Sequence, residues 1–427
     1  MADKAIRTFL FLQGPHGPYF AMLAQALRDR GHAALRININ GGDKIDWPGE
    51  GATDYRGTFR AWPLFFDDFI ASNGVTDLIL YGDCRPYHAS AHGMARLRNI
   101  RVHVVEEGYI RPDFLTLQED GVNGNSTLPL DPQWYLDQAY GLPDHDASLP
   151  PIGSTFRQRA RNTMRNGTAS ALFRLRFPFY RTHRPNSFAI ESAGWCRKLL
   201  MRDKDRQRSN EEWERVQGKP YFTLPLQVNS DYQIRVHSPF GDMRAALRFV
   251  IKSFAAHAPA HVSLVVKRHP LDPGLVGWGR LTRRLAARYG IADRVFYLAD
   301  RDILEVVENS LGVVTVNSTV GTLALNSGKP VTVLGHAVYK VPGIVHHTPL
   351  DDFWTAPRNP DLALYSAFRK VLIDKCLIRG GLLSDEGLAM LVDNAVERLL
   401  RRGRVLPRNV TPLVARRHAP IRTGTAD

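Results

Sequence analysis

Cysteine is scarce in this chain. Of its 427 residues, only Cys84, Cys196 and Cys376 are cysteines, and no two of them form a Cys-x-x-Cys pair. An odd number of widely separated cysteines argues against a disulfide framework and against a metal site built from thiolates. This usage favours a reducing, cytoplasmic setting.

Long apolar runs are also missing. The apolar stretch near the amino terminus ends before Gln13 and Gly14, and it is too short for the core of a signal peptide. No stretch reaches the roughly 20 apolar residues that cross a bilayer. We therefore expect a soluble or peripheral protein, and the hydrophobic composition of 44% is sufficient for roughly two or three domains.

Positive charge is plentiful but unevenly placed. The formal net charge is +14. Residues 157–208 contain 14 Lys or Arg and three acidic residues, and residues 398–427 contain eight Arg and one acidic residue. These two segments carry the whole excess, so the rest of the chain is slightly acidic.

The first basic segment interleaves its arginines with bulky apolar side chains, among them Phe173, Leu175, Phe177 and Phe179. This composition suits the surface of an anionic membrane, where apolar groups enter the interface and cations meet lipid phosphates. A plain solvated loop and a nucleic-acid contact are the alternatives. Because the chain has no RNP, zinc-finger or basic-zipper signature, we prefer the membrane surface and expect no nucleic-acid partner.

Apolar strand patterns alternate with helical patterns along most of the chain, which predicts parallel sheets. The strand patterns lie at 8–13, 33–39, 76–82, 100–106, 221–227, 261–267, 294–298, 312–316 and 331–334. We predict an amino-terminal α/β domain at 1–141, a basic and partly apolar insertion or linker at 142–218, a second α/β domain at 219–402, and a disordered basic tail at 403–427.

Two nucleotide-type α/β domains are the architecture of GT-B glycosyltransferases. The predicted fold class is therefore α/β and GT-B-like, with two doubly wound Rossmann-like domains facing across a cleft. Open α/β sheets bind ligands at the carboxyl ends of their strands, so polar residues at those ends are the candidate site residues. Such an analogy of fold does not by itself assign chemistry.

Two polar motifs follow strands of the second predicted domain. Asn317-Ser318-Thr319 follows a buried strand, and a helix pattern begins directly after it. This arrangement predicts a phosphate-binding site without a Walker lysine. A plain helix cap is the alternative. Lys267 and His269 follow another apolar strand, which Pro270 stops. A histidine held by a rigid turn there can hydrogen-bond a phosphate or a leaving group.

Carboxylates at strand ends are the candidate catalytic groups. Asp231 follows a strand and is able to attack an anomeric carbon, while a second carboxylate such as Glu106 handles the proton. Retention of configuration through a covalent sugar intermediate requires this division between two carboxylates. The alternative is that Asp231 only caps the next helix or turn.

The remaining candidates lie at the ends of two neighbouring strands. Glu106 and Glu107 are adjacent, so their side chains should point to opposite faces of the sheet. We expect one of them in the cleft and the other in an ion pair, with Arg111 as the candidate partner. Asp83 and Arg85 are either site residues or a structural ion pair.

The sequence resembles the KpsS (LipB) family of capsular polysaccharide proteins, in order, from about residue 8 to about residue 375. The segments that carry the resemblance are Phe11-Leu12-Gln13-Gly14-Pro15, Asn40-Gly41-Gly42-Asp43, Gly82-Asp83-Cys84-Arg85, Glu106-Glu107-Gly108-Tyr109-Ile110-Arg111-Pro112, Gly121-Val122-Asn123, Gln233-Ile234-Arg235, His269-Pro270 and Asn317-Ser318-Thr319. One departure is Arg268, where the resemblance leads us to expect a histidine before His269.

The resemblance implies a retaining β-Kdo transferase. Such an enzyme uses CMP-β-Kdo as donor and starts the oligo-Kdo linker on a phosphatidylglycerol lipid at the inner face of the cytoplasmic membrane. Carried over by motif, Asp231 is the nucleophile and Glu106 is the acid/base candidate. The residues implied for CMP are Lys267, His269, Pro270, Asn317, Ser318 and Thr319. The residues implied for the acceptor side, in the amino-terminal domain, are Asp83, Arg85, Glu107 and Arg111.

No cofactor and no metal is expected besides the CMP-sugar donor, because the charge on the leaving group can be met by Lys267, His269 and helix N–H groups. The expected partners are an anionic phospholipid, the membrane surface, and other capsule assembly enzymes or the exporter. Two alternatives stay open. One is a non-catalytic export or assembly component that binds the capsule glycolipid, and the other is a transferase for CMP-sialic acid.

Overall fold

The structure is a computed structural model that describes residues 6–111, 113–144, 149–153, 155–182 and 184–401. The basic tail predicted at 403–427 lies outside the described residues. Within these ranges, none of the helices combines the length and the apolar character needed to cross a bilayer.

The described residues form two compact α/β units. The first comprises the described parts of Met1–Thr127, Pro143–His183 and Leu372–Thr411, and the second comprises Leu128–Leu142 and Arg184–Val371. The strands are β1 Thr8–Phe11, β2 Ala33–Asn38, β3 Ala52–Asp54, β4 Asp77–Tyr81, β5 Arg101–Glu107, β6 Phe114–Glu119, β7 Tyr221–Pro225, β8 Ser263–Lys267, β9 Val295–Leu298, β10 Gly312–Thr315, β11 Val331–Val333 and β12 Leu377–Arg379.

Helices occupy most of the chain between these strands. They are α1 Tyr19–Arg28, α2 Gly41–Ile45, α3 Trp62–Ser72, α4 Pro86–Leu97, α5 Pro132–Ala139, α6 Phe156–Leu172, α7 Phe188–Leu200, α8 Arg202–Val216, α9 Tyr232–Arg235, α10 Met243–His257, α11 Trp278–Arg288, α12 Ile303–Glu308, α13 Val320–Asn326, α14 Leu350–Phe353, α15 Leu362–Lys375 and α16 Asp385–Leu400. The alternation predicted from the apolar patterns is thus present in both halves of the chain.

The first unit has a seven-stranded sheet in the order β12-β6-β5-β4-β1-β2-β3. The five strands from β3 to β5 are parallel, whereas β6 is antiparallel to both β5 and β12. Along β1 the side chains alternate between two apolar cores, with Phe9 and Phe11 in one and Leu10 in the other. A strand that is covered on both faces has to be apolar at every position, which explains its unbroken apolar pattern.

The second unit has a five-stranded parallel sheet in the order β11-β10-β7-β8-β9. In β8 the side chains of Leu264 and Val266 enter one core and Val265 enters a smaller core on the other face. Helices therefore cover both faces of this sheet as well. The predicted α/β class with parallel sheets is confirmed, while the predicted cleft stays a prediction.

The units differ from the predicted domain boundaries at three places. Leu128–Leu142 belongs to the second unit, although residues up to 141 are predicted in the first domain. The segment 142–218, predicted as an insertion or linker, contains helices α6, α7 and α8, of which α6 belongs to the first unit and the other two to the second. Residues 377–400, predicted in the second domain, form β12 and α16 in the first unit, because β12 pairs with β6 and α16 packs against α1.

Helix α6 buries polar side chains and exposes its larger apolar ones, the reverse of an ordinary amphipathic helix. Its buried side chains include Asn162 and Asn166, and the Asn166 amide donates to Asp46 Oδ2 at 2.9 Å. Its larger apolar side chains face outward instead, since Met164 is 60% exposed and Leu172 is 81% exposed. A search for apolar residues at helical spacing misses such a helix, because two of its three buried residues are polar.

The glycines of the Asn40-Gly41-Gly42-Asp43 segment allow α2 to approach α6 closely. A Cβ atom on Gly41 would lie 2.3 Å from the carbonyl oxygen of Ala169, which is backbone and does not move aside easily. We expect Gly41→Ala to lower the free energy of unfolding by about 1–3 kcal/mol in urea denaturation, as overpacking does.

Gly93→Ala is the matched control for this substitution. Gly93 lies inside α4, and no atom lies within 4 Å of a Cβ atom placed there. Removing a glycine from a helix interior should leave stability unchanged or raise it by up to about 1 kcal/mol. Equal stability of Gly41→Ala and the unsubstituted protein would contradict the close approach of α2 and α6.

Candidate functional site

The carboxyl ends of three neighbouring parallel strands bring polar side chains together in the second unit. Strand β7 lies between β10 and β8, so the residues that follow these strands share one edge of the sheet. They are Gln227 after β7, Lys267 and His269 at the end of β8, and Asn317 after β10. This is the edge at which open α/β sheets bind ligands.

Asn317 fastens the short helix α9 to this edge. Its side-chain amide donates to the carbonyl oxygens of Gln233 at 2.8 Å and His237 at 2.7 Å. Its backbone N–H donates to the side-chain oxygen of Gln227 at 2.8 Å. Asn317 is 7% exposed, and its contacts identify it as a structural clamp beside the site. Gln227 is part of this clamp and was not among the predicted site residues.

In the turn that follows β10, backbone N–H groups donate hydrogen bonds to side-chain oxygens of the same segment. The Ser318 N–H donates to Thr315 Oγ1 at 3.0 Å, and the Val320 N–H donates to Ser318 Oγ at 3.1 Å. Thr319 is the N-cap residue of α13 and makes no side-chain capping bond. The candidate phosphate contacts of this turn are therefore the hydroxyl protons of Ser318 and Thr319 rather than a row of backbone N–H groups.

His269 is oriented by the turn that Pro270 begins. The Leu271 N–H donates to His269 Nδ1 at 3.0 Å, so the neutral ring carries its proton on Nε2 and is a donor there. Lys267 is 6% exposed and donates to the Arg268 carbonyl oxygen at 3.0 Å. Burial, and secondarily the charge of Arg268, lower the pKa of Lys267 to about 8.

Helix α7 holds the same turn from the side. Lys198 donates to the carbonyl oxygens of Pro270 and Asp272, and burial lowers its pKa to about 8. Arg268 forms an ion pair with Asp205 of α8 at 2.8 Å, which accounts for an arginine at this position. Lys198 lies in the segment predicted as a linker, and only its place in a basic run signalled it.

Asp231 is the N-cap residue of α9, and its Oδ1 accepts from the Gln233 N–H at 2.9 Å. The alternative role predicted for Asp231, that of a helix cap, is therefore present for one of its carboxylate oxygens. A cap uses one oxygen of a carboxylate and does not exclude a chemical role for the group. Asp231 belongs to the same short helix that Asn317 clamps to the sheet edge, which connects it to the turn after β10.

Glu106 and Glu107 end β5 in the first unit with different partners. Glu106 Oε1 accepts from the Glu107 N–H at 3.1 Å, and Glu107 forms an ion pair with Arg159 of α6 at 3.4 Å. Arg111, the candidate partner predicted for one of the two glutamates, is not the ion-pair partner of Glu107, and it donates to the Gly108 carbonyl oxygen at 3.2 Å. The partner Arg159 comes from the basic segment and is 52 residues away in sequence.

Asp83 and Arg85 follow β4 and do not pair with each other, contrary to the structural alternative. Asp83 Oδ2 accepts from the Val122 N–H at 3.2 Å and from the Asn125 amide at 3.1 Å. Arg85 donates to the side-chain oxygen of Gln13 at 2.9 Å. The two side chains therefore serve different elements: Asp83 fixes a loop, while Arg85 bonds to a residue that follows β1.

A family model and several relatives of this chain are capsule polysaccharide proteins. The family model described as "Capsule polysaccharide biosynthesis protein" matches residues 76–382. The capsule polysaccharide export protein KpsS of Escherichia coli is 34% identical over 376 residues, which are 86% of this chain and 95% of that protein. This chain belongs to the capsule polysaccharide biosynthesis protein family. The predicted resemblance is thereby confirmed.

A second relative of this capsule family member is the capsule polysaccharide modification protein LipB of Neisseria meningitidis serogroup A. It is 33% identical over 390 residues, which are 89% of this chain and 93% of that protein. The solved structure described as Thermosulfurimonas dismutans KpsC, beta Kdo 2,7 transferase, is 17% identical with a TM-score of 0.46, and covers 92% of this chain and 99% of that one. All the candidate site residues of the capsule family member lie inside the matched region 76–382.

Proposed function

We propose that this capsule family member transfers Kdo from CMP-β-Kdo to a phosphatidylglycerol-type lipid and so starts the oligo-Kdo linker of capsular polysaccharide. The observation that carries the proposal is the sheet edge of the second unit, where His269, Lys267 and the Asn317-Ser318-Thr319 turn follow adjacent parallel strands. These are the residue types and the place that suit a phosphate-linked sugar donor. Family membership supplies the capsule context.

The donor phosphate needs hydrogen-bond donors and positive charge. His269 offers an Nε2–H group, Lys267 offers an ammonium group, and Ser318 offers a hydroxyl proton. Charge-assisted bonds of this kind stabilise the negative charge that grows on CMP as it leaves. No step in this scheme requires a metal ion.

The chemistry proposed is a double displacement. A carboxylate oxygen of Asp231 forms a bond to the anomeric carbon of the sugar while the bond to the CMP oxygen breaks, and CMP leaves as an anion. In the second step Glu106 takes the proton of the acceptor hydroxyl, and the hydroxyl oxygen displaces Asp231. Two inversions give net retention.

A lipid acceptor is reached from a membrane surface. Helix α6 turns Met164 and Leu172 outward together with exposed arginines such as Arg157 and Arg161. Apolar side chains between cations on one helix face are suited to the interface of an anionic bilayer. This face supports the proposal of a peripheral association with the inner face of the cytoplasmic membrane.

Intact-protein mass spectrometry of Glu106→Gln tests the proposal. The amide retains the oxygen that accepts from the Glu107 N–H, but it cannot take a proton from the acceptor hydroxyl. We expect the protein incubated with CMP-β-Kdo and the lipid to accumulate a mass increase of one Kdo residue, located on Asp231 by peptide mapping. An adduct on Asp83 instead would show that the nucleophile is misassigned.

Glu119→Gln is the matched control. Glu119 is the exposed last residue of β6, so the same change of charge occurs away from the candidate site. This variant should turn over normally and accumulate no adduct. An adduct of equal yield in both variants would indicate non-specific labelling.

One observation favours a second candidate function. The Escherichia coli relative is named as an export protein, so a non-catalytic component that binds the capsule glycolipid is the alternative. It would bind the finished glycolipid and leave CMP-β-Kdo intact. Incubation of the purified protein with donor and phosphatidylglycerol distinguishes the two, since only the transferase forms a sugar-lipid product and CMP.

A further inference from the structure

The loop that follows β11 leaves the sheet of the second unit at the same edge as the candidate donor residues. Strand β11 is parallel to β10 and pairs with it, so residues 334–340 lie next to the Asn317-Ser318-Thr319 turn. The Gly335 N–H donates to the Val316 carbonyl oxygen at 3.0 Å and continues the pairing beyond the strands. No residue of this loop is among the predicted site residues.

Two further contacts fix the loop against the turn after β10. The Tyr339 hydroxyl donates to the Ser318 carbonyl oxygen at 2.5 Å, and Tyr339 is 3% exposed. Gly335 lies directly against Asn317, because a Cβ atom on Gly335 would be 2.5 Å from the side-chain nitrogen of Asn317. The position of the loop is therefore tied to the turn that offers the candidate phosphate contacts.

Lys340 is the residue of this loop that carries a permanent charge at neutral pH. Its backbone N–H donates to the Ala337 carbonyl oxygen at 3.0 Å, and its ammonium group donates to the Gly335 carbonyl oxygen at 3.1 Å. The side chain is half-buried. Because Gly335 contacts both the Lys340 ammonium group and the Asn317 side chain, the positive charge lies beside the turn after β10.

No carboxylate compensates this charge in the part of the chain that the structure describes. Lys340 takes part in none of the ion pairs there, and burial alone lowers its pKa. Burial also lowers the pKa of Lys198 and of Lys267, but nearby aspartates partly offset the effect in both cases. A half-buried ammonium group without such an aspartate is stabilised when an anionic ligand binds to it.

We propose that Lys340 is a further donor-binding residue, whose ammonium group pairs with the nucleotide phosphate held by the turn after β10. In the order of the strands, Lys340 lies on the β11 side of this turn, whereas Lys267 and His269 lie on the β8 side. The identification of the ligand as a sugar donor rests on the proposed function, while the requirement for an anion rests on the contacts of Lys340. The carboxylate of the sugar acid is the other anionic group that such a donor offers.

Calorimetric titration of the full-length protein with CMP tests the proposal without any transfer step, since CMP has the phosphate but no sugar carboxylate. We expect Lys340→Gln to weaken CMP binding about tenfold or more, the effect of one charged hydrogen bond. Lys340→Arg retains the positive charge and should lose less affinity than Lys340→Gln. Unaltered CMP affinity in Lys340→Gln would refute the phosphate assignment, and an equal loss in both variants would refute a role of the charge.

Lys329→Gln is the matched control. Lys329 is also half-buried, and it precedes β11, at the opposite edge of the same sheet. The same charge is thus removed from the same unit, away from the turn after β10. Lys329→Gln should bind CMP as tightly as the unsubstituted protein. Losses of equal size in Lys329→Gln and Lys340→Gln would overturn the proposal in favour of a general effect of charge.

Titration with CMP-β-Kdo in the absence of lipid distinguishes the two anionic groups of the donor. If Lys340 pairs with the phosphate, Lys340→Gln should weaken the binding of CMP and of CMP-β-Kdo by the same factor. A loss of affinity for CMP-β-Kdo alone would overturn the phosphate assignment and place Lys340 at the sugar carboxylate.

These experiments separate Lys340 from the proposed reaction. If Lys340→Gln weakens CMP binding but the unsubstituted protein makes no sugar-lipid from CMP-β-Kdo, the assignment of Lys340 stands and the transferase function fails. If sugar-lipid forms, and Lys340→Gln has the KM for CMP-β-Kdo and the CMP affinity of the unsubstituted protein, the transferase function stands and the assignment of Lys340 fails.

Discussion

Replacing Asp231 by asparagine should abolish sugar transfer and leave the protein folded. The side chain has two separable roles in this proposal, as N-cap of α9 and as nucleophile. Asparagine is as good an N-cap residue as aspartate, so its side-chain oxygen can still accept from the Gln233 N–H. A neutral amide, however, does not attack the anomeric carbon. We expect the rate of Kdo transfer to fall about 1,000-fold or more.

The measurement is the rate of sugar-lipid formation from CMP-β-Kdo together with the thermal unfolding temperature. The transfer rate should collapse while the unfolding temperature changes little. A purely structural Asp231 gives the opposite result, because a variant that retains the cap would then retain activity. Normal transfer by Asp231→Asn would therefore remove the nucleophile from the proposed mechanism.

Asp242→Asn is the matched control. Asp242 is the N-cap residue of α10 in the same unit, and its side chain accepts from the Arg244 N–H. The substitution is chemically identical and the cap is again conserved. Asp242→Asn should retain both the transfer rate and the unfolding temperature. A loss of transfer in both variants would point to a general effect of charge in this unit rather than to a nucleophile.

The apolar patterns predicted the frame of the fold because parallel strands buried on both faces have a distinctive composition. Strands such as β1 and β8 read as unbroken apolar runs, and each run ends in polar residues that the structure places at the ligand-binding edge. Short strands are harder to see. The strand β3 has only three residues, and β6 follows the Gly108 turn and pairs antiparallel with β5, so both escaped a search for alternating units.

Long-range pairings were beyond the sequence patterns for a physical reason. Glu107 has Arg111 four residues away, yet it pairs with Arg159 of a helix whose buried face is polar. The contacts of Asn317 reach Gln227, Gln233 and His237, about 80 to 90 residues away. Local spacing predicts what a neighbour along the chain can do, but only packing brings such distant polar groups within hydrogen-bond distance.

Asn317 therefore offers the strongest test of how the site is held together. In Asn317→Asp the shape of the side chain is conserved, but the amide that donates to the Gln233 and His237 carbonyl oxygens becomes a carboxylate. Three acceptors then face one another in a position that is 7% exposed. Losing two buried hydrogen bonds and leaving their acceptors unpaired should lower the free energy of unfolding by about 2–5 kcal/mol at pH 7.5. Release of α9 should slow sugar transfer as well.

The pH dependence of this loss has a definite sign. Burial and the two carbonyl oxygens raise the pKa of a carboxyl group placed there above the value of about 3.9 that it has in the unfolded chain. The folded state then binds a proton more tightly than the unfolded state. The deficit should therefore be fully present above the raised pKa and shrink as the pH falls through it. Urea denaturation at pH 7.5 and pH 5 measures the change.

Asn309→Asp is the matched control for the clamp. Asn309 is exposed at the end of α12, where its amide donates to the Glu305 carbonyl oxygen at 2.9 Å. Its replacement also loses one hydrogen bond and adds one negative charge, but in contact with solvent, so the cost should stay below about 1 kcal/mol. Because the clamp joins α9 to the ends of β7 and β10, only Asn317→Asp should lose stability and transfer together. A loss of the same size in both variants would show that the Asn317 amide does not hold the site.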